Sequence, residues 1–280
     1  MNRKFIAYVL SLVTLLEGFM FLVVSLIAAG YKEKAFYAYF VMGIISVVIG
    51  YIGYKRKPAN MNFYAKEGFL AVSLSWIVIS LIGALPLVLT GEVLNYTDAM
   101  FEIVSGFTTT GSSILTNVEA LSHASLFWRS FTHFFGGMGV LVIVLAFIPS
   151  ISQSGMYIMK AESPGPTVGK FVSKVSTTAR ILYLIYTGMT VLQFVVLMCL
   201  ECNWFEAINI AMATAGTGGF AIYNTSLTNM TPSVQVVTAV FMLLFGINFN
   251  VYYFILIKKA KEAFKCEEMR IYLSIIICHE

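Results

Sequence analysis

Two short polar runs, Thr108-Thr109-Thr110-Gly111-Ser112-Ser113 and Ala215-Gly216-Thr217-Gly218-Gly219-Phe220, each sit between apolar stretches of membrane length. Irregular backbone at membrane depth survives only where protein buries it or where it lines a cavity. Within the runs, Thr109, Thr110, Gly111 and Ser112, and then Ala215, Gly216, Thr217, Gly218 and Gly219, point to one kind of chemistry. Glycine opens backbone conformations closed to other residues, which lets carbonyl oxygens turn inward. Neighbouring hydroxyls add oxygens or satisfy amides locally. A cage of such oxygens replaces the hydration shell of a cation such as potassium. These nine residues are the candidate cation ligands. One Thr-Thr-Gly occurs in many ordinary turns; its repetition in the same setting is what gives it weight.

Each run follows a short helix-like piece with an acidic, aromatic entry, Tyr96-Thr97-Asp98-Ala99-Met100-Phe101-Glu102 in the first and Asn203-Trp204-Phe205-Glu206 in the second. Asp98 or Thr97, and Asn203, are the expected N-caps. The C-terminal ends of both pieces aim at the polar runs, where the negative end of a helix dipole favours a cation. Membrane-length stretches run over about 5–29, 35–54, 68–90, 125–148, 181–200 and 232–257, and a shorter one starts at Ile271. The first six reach the ~20 residues needed to cross the hydrocarbon core. After two leading spans the chain holds two copies of one unit (span, short helix, glycine-bearing loop, span), over about 68–149 and 178–260. The closing spans match at Phe135-Gly136-Gly137-Met138 and Phe245-Gly246-Ile247-Asn248, where small residues suit close helix packing.

The composition agrees: 59% of the 280 residues are hydrophobic, 11% are charged, and the mean hydropathy is +0.83. A soluble domain carries about 25% charge, so an integral membrane protein is expected. Basic residues set its orientation. If the N-terminus is cytoplasmic and 95–120 and 203–225 dip in and return, Lys32, Lys34 and Arg129 alone among the 18 Lys and Arg lie outside. That is a strong positive-inside bias. Both copies then start and end inside, as parallel repeats about an axis along the membrane normal, unlike the inverted repeats of many secondary transporters.

No cluster of carboxylates or histidines accompanies the polar runs, and the 150–180 loop lacks a phosphate-loop pattern. The chain is therefore not expected to be an enzyme. Cys199 and Cys202 form a C-x-x-C without a partner pair and are not expected to bind metal. Glu17, inside the first span, is a transport candidate by its place alone, with interhelical packing as the alternative. Arg129 could snorkel to the interface or pair with Glu102 or Glu119. Glu102 and Glu206, one per copy, could stabilise the short helices or draw cations to the vestibule.

At Phe101-Glu102-Ile103-Val104-Ser105-Gly106-Phe107-Thr108-Thr109-Thr110-Gly111 the chain resembles the first pore loop of the bacterial Trk/Ktr potassium-uptake family. Phe127-Trp128-Arg129 and Gly136-Gly137-Met138-Gly139 resemble the helix that follows, Ala161-Glu162-Ser163-Pro164-Gly165-Pro166 the cytoplasmic linker, and Thr217-Gly218-Gly219-Phe220 the second pore loop. The resemblance is closest to the Trk-type membrane subunit and covers essentially the whole chain. It implies an all-α integral membrane protein: two leading helices (1–60), a first pore unit (61–150), a linker (151–178), a second pore unit (179–260), and the start of a third (261–280). The implied function is potassium uptake across the bacterial plasma (inner) membrane, with no cofactor and no nucleic acid partner. It further implies four filter strands around one pore, Gly111 and Gly218 matching the central filter glycines, a cytoplasmic nucleotide-binding regulatory subunit, and a homodimer in the full-length form. Two units where the family has four suggests a fragment. The alternatives are a structural fragment without transport of its own or a sodium/potassium-permeable member of the family.

Overall fold

A computed structural model describes residues 2–58, 65–139, 175–200, 202–256 and 267–278, and among these every regular element is helical. The expected linker motif Ala161–Pro166 lies outside the described residues, as does the end of the stretch expected over 125–148. Helices α1 (Arg3–Gly30) and α2 (Ala35–Lys55) form an antiparallel hairpin. Their contact is closest at glycines: a Cβ at Gly18 would stand 2.7 Å from the Val47 amide nitrogen, and one at Gly50 2.6 Å from the Leu15 Cα. Backbones meet closely because side chains are absent there, the usual device between membrane helices.

Helices α3 (Ala65–Gly83) and α4 (Leu85–Leu89) follow as one apolar rod interrupted near Gly83, with Pro86 in the first turn of α4. Then come the short α5 (Tyr96–Phe107), a single 3-10 turn at Val118–Ala120, and α6 (His123–Met138). The second unit repeats this with α7 (Val175–Cys199), short α8 (Trp204–Ala215), α9 (Pro232–Phe245) and α10 (Phe249–Leu256), and α11 (Glu267–Cys278) closes the set. Four rods, Arg3–Gly30, Ala35–Lys55, Lys66–Leu89 and Ala179–Cys199, are long and apolar enough to cross a membrane.

Three expectations are corrected. The stretch expected as one span over 125–148 holds a helix that ends at Met138, where Gly139 turns the backbone to φ 77°. The first short helix is capped by Asn95, whose side chain accepts from the Thr97 amide at 3.0 Å; Asp98 sits inside the first turn and Thr97 is the donor. The stretch expected as one span over 232–257 breaks after Phe245. The break frees the Leu243 carbonyl, which accepts from the Tyr272 hydroxyl at 2.9 Å, while the Leu244 carbonyl accepts from the Ile247 amide at 3.1 Å and from the Tyr252 hydroxyl at 2.6 Å. A buried carbonyl without a partner is costly, so the Tyr272 hydroxyl makes the interruption tolerable.

The core lies where α1, α3, α5 and α6 converge. Trp128 of α6 is fully buried, donates to the Gly83 carbonyl at 3.0 Å, and packs on Phe21 with ring centroids 4.8 Å apart. Glu33, at the α1–α2 turn, accepts from the His123 and Ala124 amides at 2.9 and 3.2 Å. That places a carboxylate on the N-terminus of α6, where the helix dipole is positive, and joins the leading hairpin to the first unit.

Candidate functional site

The two short helices are superimposable in sequence register. Asn95 caps α5 and Asn203 caps α8, each helix has 12 residues, and each ends at the start of a polar run. Asn203 and Glu206 form a reciprocal capping box, the expected cap in its fuller form. The runs then fold alike. The Thr109 and Thr217 amides reach back to the Gly106 and Thr214 carbonyls at 3.0 and 2.8 Å, and the Thr110 and Gly218 amides to Ser105 and Ala213 at 2.9 and 3.3 Å. Thr109 and Thr217 both take left-handed backbone, φ 54° and 53°, and Gly111 and Gly219 follow at φ 74° and 80°. A β-branched residue at positive φ is strained, and finding it twice in matching places marks a built conformation.

This register corrects one pairing. By backbone conformation the partner of Gly111 is Gly219, and Gly218 stands where the first run has Thr110. Gly218 instead faces Gly111 across the site: a Cβ on Gly111 would fall 1.7 Å from the Gly218 carbonyl oxygen. Only glycine at 111 permits that approach. Ala215 is the buried last residue of α8, and Ser112 is exposed beyond the turn.

Thr109, Ala215, Gly216 and Thr217 share the wall of a cavity of about 570 Å³ that also takes in Gly136, Gly137, Asn248 and Glu268. The broken segment after α9 forms its far side, where Asn248 donates to the Glu268 carboxylate at 2.6 Å. The cavity thus offers carbonyls, hydroxyls and one carboxylate to a single space, and helix ends of negative polarity face it from α5 and α8. That set suits a cation.

Behind the runs lies a buried ion pair. Arg129 Nε donates to Glu102 Oε1 at 2.6 Å, with both side chains at most 2% exposed. Arg129 does not snorkel. Its Nη1 donates to the Ala221 carbonyl at 3.1 Å, and its guanidinium lies 4.1 Å from the Phe220 ring centroid. Glu102 also accepts from the Ser113 hydroxyl and from the Ile114 amide at 3.2 Å. One pair therefore holds the chain just past both runs. Glu119 takes another partner, the Asn224 amide at 2.9 Å, while Asn224 donates to Asn117 at 2.9 Å. Glu206 accepts from the Tyr223 hydroxyl at 2.5 Å, which pushes the Tyr223 phenol up to about 12. Glu17 is buried in α1 with no hydrogen-bond partner among the described residues, close to where a Gly83 Cβ would stand and away from the runs.

Sequence reasoning passed over His133, which is buried and stacked on Phe220 with centroids 4.2 Å apart. The signal was present: Arg129, His133, Gly136 and Gly137 recur at helical spacing and share one face of α6. A Cβ at Gly136 would meet the Phe107 carbonyl at 2.2 Å, and one at Gly137 would meet the Gly216 Cα at 2.8 Å. This face of α6 is pressed against both runs.

A family model for a cation transport protein, TrkH, matches residues 32–280. The Trk system potassium uptake protein TrkH of Escherichia coli is 30% identical over 98% of this chain and 58% of its own length. TrkG of the same organism is 31% identical over 90% of this chain and 53% of its own. The crystal structure of the potassium transporter TrkH from Vibrio parahaemolyticus superposes with a TM-score of 0.84 at 25% identity, covering 99% of this chain and 57% of that one. The chain thus spans about half the length of the relatives it matches. An all-helical, multi-pass membrane protein with this pair of glycine-bearing loops belongs to the TrkH cation transport family.

Proposed function

We propose that this chain supplies two filter strands of a potassium-uptake pore. The reading is carried by the matched backbone of the two runs: threonine and glycine at positive φ in the same order, each run tied to its own helix end, abutting at Gly111 and Gly218. Carbonyls presented this way strip and replace the water around a monovalent cation. The negative ends of α5 and α8 and the Glu268 carboxylate favour its charge on the cavity side. The relatives' names as Trk potassium uptake proteins support potassium as the ion.

The runs open toward the outside and the cavity toward the cytoplasm, with the N-terminus cytoplasmic in a bacterial plasma membrane, as the distribution of basic residues favours. Two further strands complete a four-sided pore, from a longer product of the gene or from a second copy. A homodimer and a cytoplasmic nucleotide-binding regulatory subunit follow from the family resemblance. No ionisable side chain is among the nine proposed ligands, which favours a carbonyl-lined pore over a solute carrier.

The test is rescue of an uptake-deficient bacterium at low potassium by the native gene. Rescue is expected, and Gly111→Val should abolish it with the protein still present in the membrane. Unchanged rescue by Gly111→Val sinks the filter assignment. Equal uptake of sodium and potassium by the parent protein would favour the sodium/potassium-permeable reading.

A further inference from the structure

His133 meets the two short helices at equivalent places and the second run directly. Its ring nitrogens lie beside the carbonyls of Ser105 and Ala213, without meeting hydrogen-bond geometry. Those two carbonyls are the ones that anchor Thr110 and Gly218, so the histidine stands between the last turns of α5 and α8. The ring also covers Gly218 closely: a Cβ there would lie 2.4 Å from its Cε1. The ring also stacks on Phe220, 10° from parallel. The His133 backbone carbonyl meets Gly216 in the same way, 2.6 Å from where a Cβ would be. A fully buried polar ring placed so tightly against filter backbone is a spacer, since interiors at crystal-like density transmit changes of a single methylene.

We infer that His133 is a positioning residue for the filter: its imidazole, wedged between the ends of the two pore helices and against Gly218, sets how closely the second strand approaches the first. This rests on the filter reading above. Spacing of the carbonyl cage is one determinant of preference between potassium and the smaller sodium ion, so the ring acts on selectivity without touching the ion.

The test compares potassium and sodium uptake by the native gene product carrying His133→Ala or His133→Gln, with membrane abundance measured alongside. For His133→Ala, the preference for potassium over sodium should fall by about tenfold, equivalent to about 1.4 kcal/mol. His133→Gln, which keeps a polar group of similar reach, should fall between that variant and the parent. Where His133→Ala fails to accumulate, the ratio for His133→Gln decides. If uptake of both ions drops by one common factor and the preference is unchanged, His133 only packs and the inference is overturned. Gly111→Val separates the two levels: if that variant still transports, the filter reading itself fails, and if it is dead while both histidine variants keep the parent preference, only the inference about His133 fails.

Discussion

The two pore units share a helix length, a cap residue and a loop conformation, yet they are held by different means. In the first unit the short helix is tied to its own closing helix by the Glu102–Arg129 pair. In the second, Ile210 stands where the first has Glu102, and the supports are the Asn203–Glu206 box and the Tyr223 hydroxyl. The second short helix also packs more extensively on α6, the closing helix of the first unit, than on α9. So α6 serves both units, presenting Arg129, His133, Gly136 and Gly137 to the two runs at once. Its counterpart α9 ends early and leaves its last turn to tyrosines from α10 and α11. A duplicated unit need not keep duplicated roles, and here one helix became a common strut.

That asymmetry gives an order of expected effects. The largest belongs to Glu102→Ala, which strands the Arg129 guanidinium in the interior; breaking one side of a buried pair costs about 3–5 kcal/mol. Membrane abundance and thermal midpoint in detergent should both collapse. A Glu102→Leu, Arg129→Met double variant should recover much of the loss, since an apolar pair of similar volume needs no charge compensation. Failure of the double variant to recover would show that the contacts to Ser113, Ile114 and Ala221 matter more than the charges.

Next comes Gly136→Ala, whose methyl group meets the Phe107 carbonyl; overpacking a filled interior costs about 1–3 kcal/mol. The same change at Gly188, where nothing stands within 4 Å of the added carbon, should leave abundance and thermal midpoint unaltered. Equal effects at the two positions would break the claim that this face of α6 is pressed against the runs.

Smaller effects separate the caps. Asn203→Ala removes one half of a capping box and Asn95→Ala a single bond, each expected to cost about 0.5–2 kcal/mol, with the second unit losing more. Thermal midpoints of the two variants check the order. The smallest effect is alkaline. Because the Tyr223 phenol is raised to about 12 from an ordinary value near 10, its contribution is present in full below pH 10. It is lost between about pH 10 and 12, where the unfolded chain releases the proton first. Tyr223→Phe should flatten that part of the stability profile, and an unaltered slope would remove Tyr223 from the second unit's supports.

Much of this was legible in the chain because membrane proteins announce their elements by length and polarity. The short helices, their loops and their repetition followed from Asn203, from the Thr-Gly runs and from the apolar stretches around them. The cap of α5 was misplaced because Asn95, Thr97 and Asp98 are all good candidates, and only the turn of the chain after Leu94 decides which side chain faces the free amides. The break at Gly246–Asn248 was hidden in an apolar run, since hydropathy does not distinguish one helix from two in line. His133 was passed over because an isolated histidine carries no pattern of its own until its helical face is compared with the glycines below it.

Sequence alone settled the membrane class, the two leading helices, the two loop-bearing units and the family, because apolar length and a repeated glycine motif are local properties that survive without knowledge of contacts. Tertiary structure decided what those motifs touch. It paired Glu102 with Arg129, set Gly111 against Gly218 and placed one face of α6 behind both runs. Each of those facts joins residues far apart in the chain, and such joining depends on how closely backbones can approach, which no single stretch of sequence contains.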